Sequence, residues 1–263
     1  MSPGGTPAAT RWPQSKPLQR IAEPLLWFAA LLILWEALLR LLAVPLFVLP
    51  PPSAFLRRLV EEQERLLLHG LLTTEMVLYG FTAGVLPGIA LGYLIARSRL
   101  AERSLYPLVV FVQGLPKITL APLLLVWFGF TDLPKIVLTA LVTFFPVLVD
   151  SAAGFRSIDP RLYYVTRSAG ASWWRTFRHI EVPSAAPSIF SGCRITIVVT
   201  VTVVIVVEWL NSNNGLGYLV LRAMDAADTP LLFAILVVGS TIGVVLSYAV
   251  DLLERLLLPW RRR

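Results

Sequence analysis

The chain has 263 residues, 56 % apolar and 15 % charged, with a formal net charge of +7 and a mean hydropathy of +0.72. A soluble domain carries about 45–50 % apolar and about 25 % charged residues, so this composition excludes disorder, a soluble coiled coil and an ordinary cytosolic enzyme. Its apolar residues come in long blocks rather than in alternation of period two, which argues against a membrane β-barrel and for a polytopic helical membrane protein.

A helix that crosses a bilayer needs about 20 mostly apolar residues. The pattern predicts six such spans, at residues 24–44, 72–96, 105–128, 135–153, 189–207 and 231–253. Gly114, Pro116, Lys117 and Pro122 interrupt the third, which predicts a kink or a break. The fifth contains Ile195 to Val207, almost all Val, Ile and Thr. That composition favours a strand in water, but a lone strand in lipid leaves its backbone unsatisfied, so a helix is predicted.

Lys and Arg set the orientation. With six spans, the side holding both termini collects 15 basic residues and the other side 5. The first group includes Arg11, Lys16, Arg97, Arg156, Arg175 and the terminal Arg261, Arg262 and Arg263; the second is Arg57, Arg58, Arg65, Lys135 and Arg222. Both termini are therefore expected in the cytoplasm. The basic loops account for the net charge, and no aromatic-and-basic motif points to nucleic acid. Residues 1–23 lack the pattern of a cleavable signal and read as a mobile cytoplasmic tail. The membrane domain is expected at 24–258 and a short basic tail at 259–263.

Within the spans, Gly80, Gly84, Gly88 and Gly92 form a smooth stripe that admits a close helix neighbour, and Gly239 and Gly243 repeat the spacing once. Glu36, Lys117, Asp150, Arg194, Glu208 and Asp251 lie in or at the ends of spans, where charge is costly. Lys117 follows a proline in the interrupted span. There it has two readings, contact with a polar pathway or structural pairing.

Reactive motifs are missing. No G-x-x-x-x-G-K-[ST] phosphate loop occurs, so the chain is not expected to hydrolyse ATP. H-E-x-x-H and G-x-S-x-G are absent too. The single cysteine, Cys193, leaves no internal disulfide, and His69 and His179 are too few for a His-based metal centre.

The longest cytoplasmic loop, about 154–187, is amphipathic. Asp159 and Pro160 predict a helix start, and Gly170 a left-handed stop. Leu162, Val165, Thr166 and Ala169 are expected on one face. Trp173, Trp174, Phe177 and Ile180 then continue the apolar pattern to Pro183. Such a surface calls for a protein partner or for membrane lipid, and the residues alone leave both open.

Gly170, Ile180 and Pro183 at this spacing resemble the cytoplasmic "EAA" loop of ABC importer permeases. LPPPS at Leu49–Ser53, LPKITLAPLLLVWFGF at Leu115–Phe130 and EWLNSNNGLGYLVLRA at Glu208–Ala223 are similar to segments of the nitrate/sulfonate/taurine branch, the binding-protein-dependent permeases. The resemblance covers about residues 24–258. It implies an all-α integral membrane protein with the type I ABC importer permease fold, six transmembrane helices, and a multi-pass place in the bacterial inner membrane.

It further implies a homodimer, two ABC ATP-binding subunits carrying ATP and Mg, and an extracytoplasmic solute-binding protein. The loop would dock on the ATPase through Arg161, Tyr164, Val165, Arg167, Gly170, Trp173, Trp174, Phe177, Ile180 and Pro183. The family's Glu-Ala-Ala is replaced here by Tyr164, Val165 and Thr166. Gln113, Lys117, Thr119 and Glu208 are the candidates for a pathway that works by alternating access. An ATP-independent transporter or channel is the rival reading, and it gives the loop no role.

Overall fold

A computed structural model describes residues 17–211 and 213–259. The tail through Lys16, with Arg11, and the basic end at Arg261, Arg262 and Arg263 lie outside the described residues. The described chain is helical throughout, without strands.

Helix α1 spans Pro17–Leu41, so residues 17–23, expected as tail, are helical. Its apolar sides are mostly exposed, and it is tied down at its outer end. There Glu36 accepts from the Ser53 amide at 3.0 Å and the Ser53 hydroxyl at 2.8 Å. Ser53 lies in the first turn of α2, Pro52–Glu61, so Glu36 satisfies an amide that has no partner within that helix. Trp35, Phe55 and Phe233 pack around this joint with centroids 5.8–6.0 Å apart. LPPPS thus leads into a short amphipathic helix, which the span pattern does not predict.

Helix α3, Gln63–Arg97, runs unbroken through Pro87. The third expected span is broken. Helix α4, Arg99–Gln113, ends at Gly114; a 3₁₀ turn at Lys117–Leu120 then leads into α5, Ala121–Phe128. The two halves are bent by 81°. Pro116 has no amide to donate and disfavours helix in the residue before it. Helix α6, Leu133–Arg156, follows. Counting the bent pair as one crossing gives six spans.

The cytoplasmic loop holds α7, Pro160–Ser168, and α8, Trp173–Thr176. A π turn at Phe177–Glu181 joins α8 to α9, Val182–Asn211. The Val/Ile/Thr-rich fifth span is therefore helical, and it extends back into the loop without a gap. Helix α10, Leu216–Asp225, fills what reads in sequence as an outer loop, and α11, Thr229–Leu257, closes the chain.

Helix α6 sits between α3 and α9. Val77 of α3, Val147 of α6 and Val201 and Val204 of α9 are buried together. The Thr143 and Thr200 hydroxyls meet at 3.2 Å across α6 and α9. Gly80, Gly84, Gly88 and Gly92 all face α6. A methyl group at Gly92 would lie 2.7 Å from the Leu148 carbonyl oxygen, and one at Gly88 3.0 Å from that of Phe144. The two backbones thus touch along four turns, the close approach that drives helix association where water supplies no hydrophobic force. Gly239 and Gly243 differ. They face mainly side chains of α9 and α10, and at Gly243 a methyl would meet Val198 Cγ1 at an ordinary 3.5 Å and its Cα at 3.9 Å.

Candidate functional site

The cytoplasmic loop is built from local signals and then anchored. Asp159 accepts from the Arg161 amide at 2.8 Å and opens α7. At the other end Gly170 takes φ +65°. The Gly170 amide donates to the Arg167 carbonyl at 3.0 Å and the Ala171 amide to that of Thr166 at 2.9 Å. This pair of bonds is the Schellman ending, which needs a left-handed residue at that point.

Helix α7 packs inward through a face that the sequence pattern does not single out. Tyr163 and Thr166 are half-buried, whereas Leu162, Val165 and Ala169 point outward. The reason is Arg97 at the end of α3. Its guanidinium lies 5.6 Å from the Tyr163 ring centroid and 3.4 Å from Glu181 Oε1. One arginine therefore holds α7 and the π turn to the same helix end, and Glu181 is fully buried. Burial pushes the Tyr163 hydroxyl above its usual pKa, and the Glu181 carboxylate adds to the effect.

Phe177 and Ile180 also face inward. Phe177 meets Tyr93 edge-on at 5.1 Å and stacks on Trp173 and Trp174, each at 5.6 Å. Ile180 joins the main core, and Pro183 sits in the first turn of α9. Trp173 and Trp174 are left 58 % and 56 % exposed. Arg161, Tyr164, Val165 and Arg167 of α7 are exposed too, so both helices of the loop present apolar and basic side chains. Sequence reasoning missed the anchors Tyr93, Arg97, Tyr163 and Glu181, because each matters only through a partner far away in the chain.

Three of the four pathway candidates come together at the break. The Lys117 ammonium donates to the Gln113 carbonyl at 2.8 Å, and the Thr119 hydroxyl to that of Pro116 at 2.6 Å. Carbonyls freed by the break are thus taken up by side chains beside it. Lys117 also lies 5.1 Å from the Phe145 ring centroid, a cation–π arrangement. Gln113 and Thr119 are exposed.

Glu208 does not join them. It is 1 % exposed, at the outer end of α9, where it accepts from the Thr73 hydroxyl and the Gly217 amide. Lys135, expected in an outer loop, is likewise buried, at the start of α6, 2.7 Å from Asp132. Arg194 pairs with Asp251 at 2.7 Å and with Glu254, tying α9 to α11.

Among the described residues, five apolar helices long enough to cross a membrane, a bent pair that makes a sixth crossing, and a helical loop anchored to the end of α3 fit a membrane transport subunit of the permease class. The chain belongs to the binding-protein-dependent transport system inner membrane component family, whose model matches residues 88–263. It is 35 % identical to the formylaminopyrimidine transport permease protein ThiX of Halalkalibacterium halodurans, over 92 % of this chain and 96 % of that one. Against the riboflavin transport system permease protein RibX of Chloroflexus aurantiacus the figures are 34 %, 94 % and 95 %. Against a putative aliphatic sulfonates transport permease protein SsuC of Bacillus subtilis they are 30 %, 89 % and 85 %. Among solved structures, an amino acid ABC transporter superposes with a TM-score of 0.58 at 18 % identity, covering 78 % of this chain and 97 % of that one. The MetNI methionine ABC transporter in an inward-facing conformation gives 0.57 at 19 %, covering 72 % and 98 %. The protein is thus a multi-pass permease subunit of a bacterial ABC transporter for a small solute, placed in the inner membrane.

Proposed function

We propose that two copies of this chain form the membrane pathway of an importer driven by two separate ATP-binding subunits. ATP and Mg are held, and ATP is hydrolysed, on those subunits. A solute-binding protein delivers the solute on the outer side. Each ATP-binding subunit seats the surface made by Arg161, Tyr164, Val165, Arg167, Trp173 and Trp174. The solute belongs to the chemical range named by the relatives, from formylaminopyrimidine and riboflavin to sulfonates. Gln113, Lys117 and Thr119 face it at the break.

The observation that carries this reading is the pair of exposed tryptophans on a base fixed by Phe177, Arg97 and Glu181. Large aromatics held rigid and solvent-exposed are the side chains that anchor protein interfaces, and the rigid mount lets a push on them reach α9. ATP-binding subunits that close on ATP would move two such surfaces together and turn the cavity outward; hydrolysis would return it inward.

The test is purification from the native host in mild detergent, with mass spectrometry of the proteins that accompany the chain. Co-purification of an ATPase bearing a phosphate-loop motif is expected. Its loss in Trp173→Ala/Trp174→Ala, with the permease still folded, locates the contact. A chain that emerges alone under conditions that keep other ABC complexes whole would overturn the reading in favour of an ATP-independent carrier.

A further inference from the structure

The start of α10 is held by three side chains from two other helices. The Gly215 amide donates to His69 Nδ1 at 3.0 Å, the Leu216 amide to Thr73 Oγ1 at 2.8 Å, and the Gly217 amide to Glu208 Oε2 at 3.0 Å. The Thr73 hydroxyl donates in turn to Glu208, at 2.8 Å to Oε2 and 3.1 Å to Oε1. His69 and Thr73 lie one turn apart on α3, and Glu208 closes the last turns of α9. Three successive amides that no helix can satisfy internally are thus satisfied from outside α10. Thr73 is fully buried and Glu208 nearly so. Accepting at Nδ1 also fixes the His69 tautomer, with its proton on Nε2.

The fit is tight as well as polar. Gly215 takes φ +89°, and a methyl group on it would collide with the Glu208 carboxylate. At Gly217 a methyl would collide with the Ile205 carbonyl and lie 2.5 Å from Glu208 Cβ. The N-terminus of α10 therefore rests directly on the backbone of α9.

We propose that His69, Thr73 and Glu208 are positioning residues that make α10 a fixed part of the α3–α9 unit, so that α10 is carried by these helices during transport and has no gating motion of its own. Helix α9 continues without a loop back to Trp173, a run of 38 residues. At 1.5 Å per residue it spans about 57 Å. A displacement at the tryptophans is delivered through the π turn and along α9, which carries Pro187 inside it, to Glu208, and through it to α10. The direction of drive rests on the docking reading above; the clamp itself does not.

Amide hydrogen exchange on the purified full-length chain tests the clamp. Peptides covering Gly215–Asp225 are expected to exchange slowly in the wild type and at least about tenfold faster in Glu208→Ala. Thr73→Val, which removes the hydroxyl and keeps the shape, is expected to act likewise, and Glu208→Gln, whose amide oxygen still accepts from Gly217, to restore most of the protection. A Glu208→Ala that unfolds leaves Thr73→Val and Glu208→Gln to decide. Spin labels at exposed Leu67 and Met224, read in the complex without nucleotide and with ATP trapped, are expected to keep one distance in both states. Unchanged exchange in Glu208→Ala and Thr73→Val, or a wild-type distance that differs between the two states, overturns the proposal. Exchange is read on the permease by itself, so a failure of the ATPase to bind counts against the docking surface and not against the clamp.

Discussion

Alanine at Gly84 and alanine at Gly243 are the same chemical change in two spans, and the structure assigns them opposite signs. At Gly84 the added methyl lies 2.5 Å from the Ala140 carbonyl oxygen, 2.7 Å from Thr143 Cβ and 3.1 Å from the Phe144 amide nitrogen. Comfortable carbon contacts begin near about 3.5 Å, so α3 and α6 must part locally by about 1 Å. Two of the three obstacles are backbone atoms, which cannot rotate away. Overpacking of this kind costs about 1–3 kcal/mol, offset by up to about 1 kcal/mol because alanine is the better helix former. A net loss of about 1–2 kcal/mol corresponds to about 2–8 °C in a domain of this size. At Gly243 the nearest atom is Val198 Cγ1 at 3.5 Å, so the helix gain stands with no clash against it, and no loss is expected.

The assay is built into the chain. Cys193 is its only cysteine and is buried, so a thiol-reactive fluorophore reports unfolding as that thiol becomes accessible. A heating scan in detergent is expected to show Gly84→Ala melting below the wild type and Gly243→Ala at or slightly above it. Equal shifts, or a Gly84→Ala that melts higher, would refute the backbone-contact argument for the stripe.

The same scan separates other claims. Arg97→Ala is expected to lower the melting temperature more than Glu181→Gln, because it strands a buried carboxylate whereas the amide removes the charge itself. Gly170→Ala puts a Cβ at φ +65°, where no neighbour lies within 4 Å, so its cost is conformational and about 1 kcal/mol; the measured loss is expected in ATPase-coupled transport and only slightly in melting. Tyr164→Glu places an acidic residue at an exposed position of α7. A large loss of coupled transport with unchanged melting is expected if the ATPase surface is matched to tyrosine, and unchanged transport would refute that matching.

Much of this protein is legible without coordinates. Runs of about twenty apolar residues can only be helices in lipid, so the spans follow from composition, including the Val/Ile/Thr-rich one that would mislead in water. Asp159, Pro160 and Gly170 mark the limits of α7 because caps are local chemistry. Pro116 marks the break for the same reason. These features depend on residues within a turn or two of one another. Tertiary structure alone decided the rest. It turned Tyr163 rather than Leu162 inward, because Arg97 lies 66 residues away in sequence and beside it in space. It separated the stripe at Gly80–Gly92 from the pair at Gly239 and Gly243, since the same spacing meets backbone at 2.5–3.2 Å in one case and mainly side chains in the other. It also set Glu208 apart from Gln113, Lys117 and Thr119, because its partners Thr73 and Gly217 stand on different elements. Local order is set by backbone sterics and solvent. Which side chains meet is set by how the helices pack, and no short stretch of sequence contains that information.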